Sequence, residues 1–108
     1  MSDVHDMSDR ELNVLIDAEV MCDMPSWPMA APRYTTNAFQ TERVMARMER
    51  DDRYSLVLRR EDTEGYWASF RISGRFYGWS ECSNWKRAVC EAALLAVRHE
   101  HQLFGITE

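Results

Sequence analysis

Few residues in this 108-residue chain stand at spacings that could do chemistry. His99-Glu100-His101 is the one cluster with metal-ligating side chains. On a helix, positions two apart point about 200° away from each other, so the two imidazoles do not share an ion. The cysteines, Cys22, Cys82 and Cys90, are odd in number and lack the close pairing of a disulfide framework or a zinc knuckle. Cys90, within Ala88-Val89-Cys90-Glu91-Ala92-Ala93, reads as a small buried thiol. Gly65, Gly74, Gly78 and Gly105 are scattered turn formers rather than a phosphate-cradling loop. No Ser, His and Asp share the motif context of a catalytic triad. Glu61, Asp62 and Glu64 crowd one turn and read as a solvated hairpin tip. The expectation is a protein that is not an enzyme, with no catalytic residue, cofactor or metal ligand.

Binding chemistry remains. Arg59, Arg60, Arg71 and Arg75 are interleaved with Tyr66, Trp67, Tyr77 and Trp79. Arginine and large aromatics are the commonest hot spots of protein interfaces. The same mixture can hold nucleic acid by charge and stacking, but a pI of about 5.2 and a hairpin without lysine speak against that partner. A second surface is acidic. Residues 1–24 carry seven acids and one base, whereas the rest of the chain carries 11 acids and 12 bases. Asp9, Asp17 and Glu19 would present that charge from the first helix to a basic partner. The plain alternatives are a solvated acidic helix face, and core tryptophans with arginines paired to Glu61, Asp62 and Glu64.

These residues need elements to position them. Ser8-Asp9-Arg10-Glu11 is a capping box. The spacing of Leu12, Leu15, Ile16 and Val20 predicts a helix from about Asp9 to Met21, with Asp9, Asn13 and Asp17 on its polar face. Pro25, Pro28 and Pro32 make 23–37 a long loop, in which Met24, Trp27, Met29 and Tyr34 complete the core or form an exposed patch. Asn37 with Gln40 opens a second helix to about Arg50, with Phe39, Val44, Met45 and Met48 as its apolar positions. Tyr54–Arg60 and Tyr66–Ile72 read as an antiparallel hairpin, and Arg75–Ser80 can add a third strand in which Gly78 marks a bulge. Ser83 caps a last, alanine-rich helix that is buried on more than one side.

The length suits one domain over 1–108, with residues 1–7 as a flexible N-terminal tail. No apolar run approaches the ~20 residues of a membrane span, and the acidic start is no signal peptide. A cytoplasmic protein is expected. The fold class is α+β, a small antiparallel sheet of two or three strands packed by three helices in the order α-α-β-β-(β)-α.

Pro32-Arg33-Tyr34-Thr35-Thr36-Asn37 leading into a helix, the hairpin segment Tyr66-Trp67-Ala68-Ser69-Phe70, and the helix with Ala88-Val89-Cys90-Glu91-Ala92-Ala93-Leu94 together resemble the phage α-β-α sandwich domain family. The resemblance runs from about Leu12 to Val97, and its specificity lies in order and spacing. Met24 to Ala31 departs from the family, which has more Trp and Gly there. The resemblance implies a phage or prophage origin, a three-layer fold and no assigned chemistry. With the small size and acidic helix, it leads to a protein-binding module, monomeric or homodimeric, that occupies a host protein surface. An inhibitor of a bacterial defence complex, such as a CRISPR–Cas component, is the sharpest form. A self-assembling virion or prophage accessory protein is the alternative.

Overall fold

The structure is a computed structural model that describes residues 4–21, 32–50, 54–61, 65–72 and 75–105, with side chains described outside 61, 75–77 and 100–105. A 3₁₀ turn, Val4–Asp6, precedes helix α1, Asp9–Leu15, which widens into a π-helical stretch, Ile16–Met21. Helix α2, Ala38–Glu49, follows, then strands β1, Ser55–Glu61, β2, Gly65–Ile72, and β3, Arg75–Cys82, and finally helix α3, Trp85–Gly105. This is the α+β order read from the sequence, with the third strand formed. Ser8 Oγ accepts from the Glu11 amide at 3.1 Å and Asn37 Oδ1 from the Gln40 amide at 3.2 Å, so two of the three expected caps hold their helix starts. The third moves by one residue: α3 begins at Trp85, and Asn84 rather than Ser83 caps it, its Oδ1 accepting from the Lys86 amide at 3.1 Å and its carbonyl from the Ala88 amide at 2.9 Å.

The strands lie in the order β1-β2-β3, antiparallel throughout. Phe70 pairs with Gly78 but Arg71 pairs with Phe76, which leaves Tyr77 as the extra residue of a bulge beside Gly78. The face bearing Ala68, Phe70, Gly78 and Ser80 packs under α3. A Cβ built at Gly78 would collide with the carbonyl oxygen of Ala92 and the amide nitrogen of Ala96, and would lie 2.8 Å from Ala96 Cα. Glycine is therefore required there by close approach. Ala88 through Leu94 are all buried. The sheet covers α3 on one side, and α1, the π stretch and α2 cover it on the other.

On that second side a polar network joins three helices. Tyr34 is buried, and its hydroxyl donates to Asp17 Oδ1 at 2.7 Å. Thr35 donates its amide and its hydroxyl to Asn13 Oδ1, each at 3.0 Å. The Tyr34 carbonyl accepts from Thr41 Oγ1 at 2.6 Å and from Cys90 Sγ at 3.2 Å, and Asn84 Nδ2 donates to the Thr35 carbonyl at 3.0 Å. Asn13 and Asp17, expected on a solvated face, are thus turned inward as acceptors for the 34–35 segment. Tyr34 completes the core; Met24, Trp27 and Met29 lie outside the described residues.

Two further expectations change. Residues 4–7 are no flexible tail: Val4 and Met7 are in the core, and the 3₁₀ turn is held down by contacts to α3 described below. Phe39, expected on the apolar stripe of α2, is 70 % exposed, and Thr41 joins Val44 and Met48 on the buried side instead.

Gly78→Ala forces a shift of helix backbone against strand backbone. We expect a loss of about 3 kcal/mol, the upper end for overpacking, read as a lower midpoint in urea unfolding. Burial raises both the Tyr34 phenol and the Cys90 thiol above their ordinary values; the Asp17 hydrogen bond and charge add to the first, and the Glu91 charge to the second. Unfolded chains lose these protons near pH 9–10 while the native protein keeps them, so stability is full below about pH 8 and declines above it. A melting series from pH 7 to 11 measures this, and Tyr34→Phe flattens the decline while costing about 1.5–3 kcal/mol at neutral pH.

Candidate binding surface

Strand register sets out the sheet face turned away from α3 as a grid. Arg59, Trp67 and Glu81 form one row, Val57, Ser69 and Trp79 the next, and Ser55 with Arg71 a third. The Arg59 guanidinium lies 4.6 Å from the centroid of the Trp67 ring, a cation–π contact that fixes both side chains. Trp79, diagonal to Trp67, is 53 % exposed. Between Val57 and Trp79, Ser69 is fully buried and its Oγ has no hydrogen-bond partner. Arg71 is half-buried on the same face. An ordered guanidinium on an indole beside an exposed indole suits the burial of a partner's apolar side chain next to a hydrogen-bond acceptor.

The other expected residues are placed as follows. Arg60 is exposed but projects to the α3 side, because it alternates with Arg59. Arg75 opens β3 and Tyr77 is its bulged residue; their side chains lie outside the description. The acidic residues of the first helix are tied to the protein itself. Asp9 accepts from Arg87 Nη1 at 2.6 Å, Asp17 is buried against Tyr34, and Glu19 takes Arg98 bidentately at 3.0 and 2.8 Å. The Glu19 bond holds the Arg98 guanidinium above its ordinary pKa.

One polar cluster has no counterpart in the sequence reading. Glu91, 2 % exposed, accepts from Ser80 Oγ at 2.9 Å and from Arg87 Nε at 2.7 Å, and its Oε1 also meets His5 Nδ1. Burial disfavours the charged Arg87 guanidinium, but its bonds to Asp9 and Glu91 outweigh that and raise its pKa. Its Nη2 also reaches the carbonyls of Met7 at 2.5 Å, His5 at 3.4 Å and Val4 at 3.5 Å. Ser80, His5 and Glu91 have the residue types of a triad but not its geometry. Ser80 and Glu91 both approach the same ring nitrogen, and the Ser80 hydroxyl donates to the carboxylate rather than to the imidazole. The arrangement anchors residues 4–9 on α3 and β3. Its local signal was an Arg–Glu pair four residues apart beside the alanine-rich run of the last helix; nothing local marked Ser80 or His5.

Among the described residues no helix is long and apolar enough to cross a membrane, and no group of three or more His, Cys, Asp or Glu is placed to hold a metal ion. No protein-family model matches the sequence, and no curated protein matches it. The fold is similar to that of a phage protein from Bacillus cereus ATCC 14579, a crystal structure at 2.0 Å, with a TM-score of 0.72 and 18 % identity over 90 % of this chain and 99 % of that one. The resemblance drawn from motif order is thus met at the level of the fold, shared with that phage protein, and of no particular family.

Arg87→Ala leaves the Glu91 carboxylate buried without its guanidinium. We expect about 3–5 kcal/mol of destabilisation, the cost of breaking a buried ion pair from one side, with faster amide exchange in residues 4–9 as the mark of a released N-terminal segment.

Proposed function

We propose that this protein is a phage- or prophage-encoded, non-enzymatic protein-binding module that acts by occupying the surface of a host protein. A bacterial defence complex, in the manner of an anti-CRISPR, is the sharpest target. The observation that carries the reading is the exposed Trp79 beside the Arg59–Trp67 stack on an antiparallel sheet. A large aromatic costs solubility when left in water, and its exposure next to an arginine held in place is the composition of an interface centre. The small size of the chain and its likeness in fold to a phage protein support the phage context. Asp9 and Glu19 are engaged with Arg87 and Arg98 of α3 and Asp17 is buried, which favours the sheet face over the acidic helix as the docking side.

Affinity capture from bacterial lysate, with the wild-type protein and with Trp79→Ala and Arg59→Glu, tests this. We expect one host protein at stoichiometric yield with wild type and its loss with either variant, matching an affinity drop of about 30-fold for a hot spot worth ~2 kcal/mol. Circular dichroism should show both variants folded. Recovery of no host protein, or capture that ignores the substitutions, overturns the reading. A high-order homo-oligomer in size exclusion would replace it with a self-assembling accessory protein.

A further inference from the structure

We draw no further inference here: the strongest candidate, the sheet face around Trp79 where the buried Ser69 hydroxyl has no hydrogen-bond partner among the described residues, belongs to the surface already described, and nothing in the structure shows what covers it.

Discussion

At Gly78 the backbone of β3 meets the backbone of α3 with no side chain between them. Ala92 and Ala96 on the helix answer the glycine on the strand, so helix and sheet sit closer than larger side chains would permit. This contact fixes the rotation of α3, and the rotation decides which of its polar residues must live without water. Glu91 precedes Ala92, and Ser80 follows Gly78 by two on the same strand face, so carboxylate and hydroxyl are brought together by the same contact that excludes solvent from them. A buried carboxylate is costly unless charge and hydrogen bonds answer it. Arg87, one turn earlier on the helix, supplies the charge and is itself held by Asp9 and by carbonyls of the N-terminal segment. The ordering of residues 4–9 is thus a consequence of how closely α3 approaches the sheet.

The other side of α3 follows a different rule. There the 32–37 segment runs between helices, and its two buried residues, Tyr34 and Thr35, must have their polar groups answered within the protein. Asn13, Asp17, Thr41 and Asn84 satisfy them or the Tyr34 hydroxyl, each from a helix or helix start that the segment touches. Buried polar groups that are fully bonded specify one arrangement among several of similar apolar packing. The apolar stripe of α1 could meet α3 at more than one rotation; the Asn13–Thr35 and Asp17–Tyr34 pairs select one.

Much of this was legible in the sequence because local chemistry sets it. Ser8 and Asn37 announced their helices, the alternation around Phe70 and Ala68 gave the hairpin, and Gly78 stood out inside a strand pattern. The alanine-rich last helix declared burial on more than one side, as found for Ala88 through Leu94. What failed was the inference from polarity to exposure. Asn13 and Asp17 looked like a wet face because no local feature announced that Tyr34 and Thr35 would return to them from about twenty residues away. Residues 4–7 looked like a tail because their partner, Arg87, lies some eighty residues on. Phe39 failed in the opposite direction: helical spacing placed it on the stripe, but Thr41, with two backbone carbonyls to bond, took the inward position. The candidate surface was half legible. Alternation separates Arg59 from Arg60 in any strand, but whether Trp67 and Trp79 would be core or surface depended on which face α3 chose.

The distribution of charge now has a physical reading that differs from the net value. The chain is acidic because of its first 24 residues, yet Asp9 and Glu19 are neutralised by Arg87 and Arg98 and Asp17 is withdrawn from water. Those acids act as internal counterions that fasten the N-terminal elements onto α3. The field presented to another molecule is therefore not the average one. On the sheet face turned away from α3, Arg59 and Arg71 share the grid with Glu81, beside indole surface that stacking keeps in place. Long-range repulsion from other acidic macromolecules is then answered only at short range, where screening leaves contact chemistry to decide. What that face meets is then settled by fit at contact rather than by attraction at a distance.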